Sequence, residues 1–187
     1  DGASAIVVAK EDLARKKVKR PAWYKGLASY SDEENQLQSE NFGGVGVLDP
    51  SEQRGCWVSA MKAYEMAGIK DPQKEIDMAE LYQPFPSQEL IFAERLGLFD
   101  EGTAWMALER GETDINGRMP LDPSGGVNAT NAIGSSAMQR ILECALQIMG
   151  KAEEHQVPKR VSNAVAHGWG GVTNYSTVTV LGDSPGR

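Results

Sequence analysis

The sequence predicts an α/β domain in which helices cover both faces of a mixed sheet. Short apolar runs that suit strands alternate with longer segments of helical periodicity, and the last two strand candidates follow each other directly. The chain has 187 residues, of which 41% are hydrophobic and 24% charged. That length and composition suit one domain with a full core, so we predict a single domain over residues 1–187.

Five segments are predicted as strands. The run ASAIVVA at residues 3–9 is continuously apolar, which is typical of a buried strand. The other candidates are residues 22–30, 76–81, 161–166 and 176–181. The Val-Thr alternation in the last of these suits a strand with one face partly exposed or covered by polar packing.

Five helices are predicted, at residues 11–17, 51–67, 88–96, 102–110 and 134–149. Gly68 and Gly150 end two of them, and Ser87 is a candidate N-cap for another. The longest helix is expected to bury Ile141, Leu142, Ala145, Ile148 and Met149. The polar and glycine-rich residues 31–50 are predicted to form a long loop.

Charge and cysteine content narrow the classes of function. A net charge of −7 argues against nucleic acid as the main partner, because such proteins need a basic surface. Cys56 and Cys144 fall in apolar helical patterns without metal-ligand spacing, so we expect buried thiols and no metal site. Low cysteine usage suggests a reducing, cytoplasmic setting, and no apolar run is long enough to predict a membrane span.

Two polar loops that follow or precede buried elements form the candidate site. One contains Gly125 and Gly126 and leads into the longest helix, and the other is the sequence HGWGG from His167 to Gly171. Glycines let the backbone approach a ligand closely, and loops on a rigid scaffold often carry function. No dinucleotide-binding glycine pattern is present, since residues 43–46 do not join a strand to a helix.

Four motifs in order resemble the C-terminal half of the thiolase superfamily, nearest to the sterol-carrier-protein-2-type thiolases and lipid-transfer-protein-like acetyl-CoA acetyltransferases. DGASA at residues 1–5 resembles the DGAAA opening of that half. IDMAELYQPFPSQELIFAERLGL at residues 76–98 resembles the segment around the H-D-C-F motif. PSGGVNATNAIG at residues 123–134 resembles the segment from Gly-Gly to G-H-P-x-G, and HGWGG resembles the H-N-x-G-G turn.

This resemblance implies a fold of two similar halves, each with a mixed five-stranded sheet between helices. It also implies that the protein dimerises, that its substrate is an acyl group carried by coenzyme A, and that it needs no cofactor. The family's nucleophilic cysteine lies in the N-terminal half. We therefore expect this chain to be a fragment or a natural subunit that needs an N-terminal half, in the same or a separate chain, to be active.

Several residues depart from the family's pattern. Tyr82 takes the place of the motif's histidine, and Pro84 takes that of the cysteine thought to exchange protons. Tyr82 is predicted to donate a hydrogen bond to a carbonyl or alkoxide, or else to be a structural tyrosine. Asn131 replaces the G-H-P histidine, so it could stabilise an oxyanion without acting as a base, or cap the following helix, or both.

His167 matches the histidine of the H-N-x-G-G turn. It is predicted either to act in the site, where it could titrate near neutral pH, or to be a structural histidine. Phe85 is predicted to line the pocket or to pack in the core. Four glycines are predicted to shape the substrate-binding pocket: Gly125, Gly126, Gly170 and Gly171.

Three functions follow from the resemblance and these departures. The first is an acyl-CoA C-acyltransferase half that contributes oxyanion, acid–base and pocket residues through Tyr82, Asn131 and His167. The second is a thiolase-like aldolase that cleaves a 3-hydroxyacyl-CoA, which the tyrosine and asparagine favour. The third is a non-catalytic scaffold half. The resemblance also implies a possible small partner with an OB-fold and a zinc ribbon, with which thiolase-like aldolases and several other thiolase relatives work.

Overall fold

A computed structural model describes residues 2–31, 53–170 and 175–186. Their elements are helices α1 to α7 and strands β1 to β4. In chain order these are α1 (Glu11–Lys17), β1 (Trp23–Ser31), α2 (Arg54–Ala67), α3 (Pro72–Glu75), β2 (Met78–Glu80), α4 (Pro86–Arg95), α5 (Ala104–Glu109), α6 (Gly126–Ala129), α7 (Ser136–Met149), a 3₁₀ turn (Glu153–His155), β3 (Asn163–Gly170) and β4 (Tyr175–Gly182).

The described strands form one mixed sheet in the order β1-β4-β3-β2. The pairs β1–β4 and β4–β3 are antiparallel, and β3–β2 is parallel. Helices α2 and α4 cover one face, where Val165 of β3 joins their core. Helix α7 covers the other face, where Ala164 and Ala166 pack with Cys144 and Ile148. The mixed sheet with helices on both faces is therefore confirmed.

The prediction of a fifth strand at residues 3–9 is wrong. This segment forms no ladder with any described strand, and its Val7 and Val8 are 95% and 70% exposed. A buried strand needs a neighbouring strand to form hydrogen bonds with its backbone N–H and C=O groups. Among the described residues, no strand lies beside this segment. The segment instead runs past the loop before α7, where Ser4 Oγ donates to the Ser135 carbonyl at 3.3 Å.

The other predicted helices and strands match within a few residues, whereas the short helices α3 and α6 and the 3₁₀ turn were not predicted. Helix α2 ends at Gly68, whose φ of +72° is the left-handed conformation that glycine adopts without strain. Ser87 does not cap α4, which begins after Phe85 with Pro86 in its first turn. The loop predicted for residues 31–50 lies outside the described residues from position 32 onward.

Helix α7 buries Ile148 as predicted, but its other buried residues differ from the predicted set. Its buried residues are Ser136, Arg140, Cys144, Gln147 and Ile148. The apolar residues Met138, Ile141, Leu142, Ala145 and Met149 are only partly covered. The helix thus turns polar side chains into this domain and leaves a partly covered apolar stripe on its outer side, of which Ile141 and Ala145 also pack against the core. Over the described residues, no helix has the length and hydropathy needed to cross a bilayer.

Candidate functional site

The candidate site lies at the carboxyl ends of the parallel strands β2 and β3, beside the start of α7. The segment before the Gly-Gly turn runs along β2, because Leu121 forms an isolated parallel bridge with Ala79. Asp122 N donates to the Ala79 carbonyl at 2.8 Å. The residues that follow β2, Tyr82 among them, therefore lie next to the loop that carries Gly125, Gly126 and Asn131.

Tyr82 and Asn131 are in contact. The Tyr82 hydroxyl donates to Asn131 Oδ1 at 3.3 Å, and Ser136 Oγ donates to the same oxygen at 2.8 Å. Two hydroxyl donors thus turn the amide oxygen toward the protein. This orientation leaves the Asn131 NH₂ group to donate elsewhere.

Asn131 is not the N-cap of α7, contrary to one of the two roles predicted for it. Ser135 occupies the N-cap position, and no side chain there bonds the helix backbone. Asn131 lies outside the helix and is exposed. Its hydrogen bonds go to side chains, so the role as an oxyanion donor is the one that stays a prediction.

His167 lies in the core rather than beside Asn131. It is 1% exposed, its ring centroid lies 4.4 Å from that of Phe92 in α4, and Nε2 lies 3.2 Å from Ser176 Oγ. Burial lowers its pKa to about 3, so the ring is neutral at physiological pH and does not titrate near neutrality. The structure therefore brings Tyr82 and Asn131 together, and it places His167 against α4.

Aromatic rings connect these two regions. Trp169 lies 6.4 Å from Tyr82 and 6.2 Å from Phe92, measured between ring centroids. Its Nε1 and the Nδ1 of His167 are both buried without a hydrogen-bond partner among the described residues. Trp169 thus lies between Tyr82 and Phe92, and the ring of Phe92 in turn packs on His167.

The other predicted pocket residues differ in exposure and position. Phe85 is 60% exposed, which makes it a surface residue rather than part of the core. Gly125 is exposed and Gly126 is buried. Gly170 lines a groove of about 320 Å³ between the apolar side of α7 and strands β3 and β4. Gly171 lies outside the described residues.

A buried ion pair fixes α7 to β2. Arg140 Nη1 donates to Glu80 Oε2 at 2.7 Å, and the exposed fractions of the two side chains are 2% and 0%. Ser124 adds two donors to Glu80, from its backbone N at 3.1 Å and from Oγ at 2.8 Å. Burial raises the pKa of Glu80 to about 7, against the opposing effects of Arg140 and Ser124. The Gly-Gly turn is therefore tied to both β2 and α7.

A second buried network joins the residues on either side of Tyr82 to the same turn. Asp122 Oδ1 accepts from Leu81 N at 2.6 Å, and Asp122 Oδ2 accepts from Gln83 Nε2 at 2.7 Å. Gln83 Oε1 accepts from Val127 N at 3.1 Å. Burial, followed by the nearby Glu80, raises the pKa of Asp122. This carboxyl group thus holds the Tyr82 segment against the Gly-Gly turn.

Sequence reasoning missed both networks. One signal was available, because Glu80 stands in an apolar strand pattern and Arg140 stands in a helix of mostly apolar and small residues. A charge at a core position needs a partner, so the two could have been paired. Nothing in the local pattern pointed to Gln83 or Asp122.

The cysteines take no part in the site. Cys56 and Cys144 are free and buried, and burial raises the pKa of both thiols. Neither is the kind of exposed, low-pKa thiol that acts as a nucleophile. Within the described ranges, no three His, Cys, Asp or Glu side chains group as metal ligands do.

Comparison with known proteins gives the family. Residues 48–183 match the family described as thiolase C-terminal domain-like. The chain belongs to this family. The match covers the whole candidate site, from β2 to the end of β4.

Relatives of this thiolase-like chain include two curated proteins. It is 29% identical over 161 residues to sterol carrier protein 2 from Bos taurus, covering 84% of the chain and 28% of that protein. It is 26% identical over 182 residues to an acetyl-CoA acetyltransferase from Methanothermobacter thermautotrophicus, covering 97% of the chain and 45% of that enzyme. The chain thus spans less than half the length of these relatives.

A solved structure shares the fold. The thiolase-like chain superposes on a chain of the Ltp2-ChsH2(DUF35) aldolase with a TM-score of 0.70 and 22% sequence identity. The superposition covers 92% of this chain and 42% of that one. At this identity the likeness establishes the α/β thiolase fold alone.

Proposed function

We propose that this chain is the C-terminal half of a thiolase-like enzyme that cleaves or forms a carbon–carbon bond next to a coenzyme A thioester. The reaction that the site fits best is retro-aldol cleavage of a 3-hydroxyacyl-CoA. The observation that supports it is the contact between the Tyr82 hydroxyl and Asn131 Oδ1.

Retro-aldol cleavage needs a proton to move and an oxyanion to be stabilised. The substrate's 3-hydroxyl loses its proton, the bond between C2 and C3 breaks, and C3 becomes a carbonyl carbon. The electron pair passes to the thioester as an enolate, which is then protonated at C2, so no co-reactant is consumed. In our proposal the single Tyr82 O–H turns from Asn131 Oδ1 to the substrate and donates to the oxygen that carries this charge.

Asn131 fits the second requirement, which is the stabilisation of an oxyanion. Because Ser136 Oγ still donates to the Asn131 oxygen when the Tyr82 hydroxyl turns to the substrate, the amide NH₂ group is the part left to bind a substrate oxygen. A fixed amide donor stabilises an enolate oxygen in the manner of an oxyanion hole. An amide cannot accept a proton at neutral pH, and His167 is buried and neutral, so a base would have to come from another group.

Acyl transfer from a 3-oxoacyl-CoA is the second candidate. It is supported by the likeness to an acetyl-CoA acetyltransferase over 97% of this chain. That reaction needs a nucleophilic cysteine, and the two cysteines here are buried. The cysteine would therefore have to come from an N-terminal half.

Three partners are proposed for the chain: an N-terminal thiolase half in the same or a separate chain, a second copy as a homodimer, and a small protein with an OB-fold and a zinc ribbon. The apolar stripe of α7 supports the first of these. Met138 is 43% exposed in the stripe, and the groove beside it is walled mainly by apolar atoms. Such a surface suits a protein partner.

The test uses the assembled enzyme, with its N-terminal half, and two substrates. We expect a 3-hydroxyacyl-CoA to release an aldehyde or ketone, and Tyr82→Phe to abolish that release. Tyr24→Phe is the matched control, because Tyr24 is a partly exposed tyrosine of β1. Thioester exchange from a 3-oxoacyl-CoA plus free coenzyme A, little affected by Tyr82→Phe, would instead support acyl transfer. Turnover of neither substrate would support the scaffold role.

A further inference from the structure

Asp122 and Gln83 form a hydrogen-bond chain whose direction is fixed at both ends. Leu81 N donates into one end, at Asp122 Oδ1, and Val127 N donates into the other, at Gln83 Oε1. Backbone N–H groups can only donate, so both outer atoms must be acceptors. The middle link then joins the amide NH₂ of Gln83 to the second carboxyl oxygen of Asp122, at 2.7 Å.

The chain is closed to water. Asp122 and Gln83 are 8% and 1% exposed. A Cβ at Gly126 would lie 2.5 Å from Gln83 Nε2 and 2.9 Å from Asp122 Cγ. The Gly-Gly turn therefore lies directly against both side chains, and a buried group that loses its partner there is costly.

The two backbone donors lie on the segments that carry the site. Leu81 directly precedes Tyr82, and Val127 belongs to α6, four residues before Asn131. The hydroxyl-to-amide contact between Tyr82 and Asn131 is 3.3 Å long, near the limit for a hydrogen bond. A small slip between the two segments would break it.

We propose that Asp122 and Gln83 are positioning residues that set the separation of Tyr82 and Asn131, an inference that rests on the proposed function of those two residues. Neither touches the reacting groups. They act by holding the segment after β2 and the turn before α6 in one relative position. Displacement of a catalytic group by about 1 Å can cost about 100-fold in rate.

Isosteric substitutions provide a specific test, because each single change leaves two like groups facing each other. In Asp122→Asn the new amide has one acceptor for two donors, so an NH₂ group must face either Leu81 N–H or the Gln83 NH₂. In Gln83→Glu two carboxyl groups meet at the middle link, where they repel each other as carboxylates and bond only at a pH low enough to keep one proton shared between them. In the double variant Asp122→Asn/Gln83→Glu, the NH₂ group of the new amide donates to one oxygen of the new carboxylate. The oxygen of the new amide still accepts from Leu81 N, and the other carboxylate oxygen still accepts from Val127 N.

The assembled enzyme should therefore lose function in each single variant and regain it in the double variant. We expect each single variant to lower kcat about tenfold or more with KM within about threefold, and the double variant to return within about threefold of the parent. Gln73 Nε2 donates to Asp100 Oδ1 at 2.8 Å in an exposed pair, so Asp100→Asn/Gln73→Glu and its single variants are matched controls without effect.

Hydrogen exchange in the same assemblies gives a readout that does not depend on activity. Amides of residues 81–83 and 125–131 should exchange faster in each single variant and at the parent's rate in the double variant. If exchange follows this pattern but no substrate is turned over, the proposed function is wrong, whereas the positioning role of Asp122 and Gln83 is supported. Unchanged exchange and activity in the single variants, or a double variant no better than the worse single one, would overturn the proposal.

Discussion

Arg140 and Glu80 face each other at 2.7 Å between α7 and β2, and both side chains are almost wholly buried. Arg140→Met should therefore lower the free energy of unfolding by about 3–5 kcal/mol, because it leaves a buried carboxyl group without its cation. Urea unfolding measures the change. Adding Glu80→Gln to Arg140→Met should recover part of the loss, whereas Arg110→Met in an exposed pair with Glu112 should move the midpoint little.

Gly126 lies too close to Gln83 and Asp122 to carry a side chain, and its φ is +60°. Gly102 is a matched control, because its φ is +75° but a Cβ there would meet nothing within 4 Å. Gly102→Ala should cost about 1 kcal/mol of stability for the left-handed backbone alone. Gly126→Ala should cost about 1–3 kcal/mol more from overpacking. Equal midpoints in urea for the two variants would contradict the close approach at Gly126.

The buried neutral state of His167 makes stability depend on pH. An unfolded histidine binds a proton near pH 6.5, whereas burial lowers the pKa of His167 to about 3. Between these values the unfolded state takes up the proton, so the free energy of unfolding falls as the pH falls. From pH 7 to pH 5 this group should remove about 2 kcal/mol.

Glu80 acts in the opposite sense. Its pKa is raised to about 7, so its contribution to stability falls as the pH rises from about 4.5 to 7. The effect of His167 is therefore best measured as the difference between the parent and His167→Asn, in which Glu80 is unchanged. That difference in unfolding free energy should shrink by about 2 kcal/mol between pH 7 and pH 5. A constant difference would show that the ring accepts protons in the folded state as readily as in the unfolded one.

The outer stripe of α7 should bind the proposed N-terminal half. Met138→Lys places a charge in the stripe beside the groove, so it should weaken association with that half about tenfold or more, equivalent to about 1.4 kcal/mol. Calorimetry on the two halves gives the dissociation constant. Met66→Lys is the control, since Met66 is similarly exposed but lies on α2, on the opposite face of the sheet. Equal binding by both variants would exclude this surface of α7 from the interface.

Most helices and strands followed from periodicity because their apolar residues do pack inside this domain. The exceptions have a common physical cause. A local pattern indicates that a segment is apolar, but it does not indicate which strand, helix or partner packs against that segment. Residues 3–9 are apolar but have no neighbouring strand among the described residues. The stripe of Ile141 and Leu142 is apolar but is only partly covered.

The candidate site was predictable only in part. Motif order located Tyr82 and Asn131, and the structure shows that they touch. His167 belongs to an equally clear motif, yet the alternation of β3 turns its ring toward α4, which the motif does not reveal. The contact between Gln83 and Asp122 depends on a parallel bridge between Ala79 and Leu121, 42 residues apart by their numbers, and no local signal encodes it.

The extended segment that precedes α1 bears on how the protein should be handled. A Cβ at Gly2 would lie 2.7 Å from that of Ala132, next to Asn131, so a fluorophore attached at residue 2 would lie beside Tyr82 and Asn131. Gly186 lies instead against Lys25 in β1, near the end of the sheet where Asn163 pairs with Gly182. Fluorophores and surface tethers therefore belong at residue 186 rather than at residue 2, because there they leave access for a ligand intact.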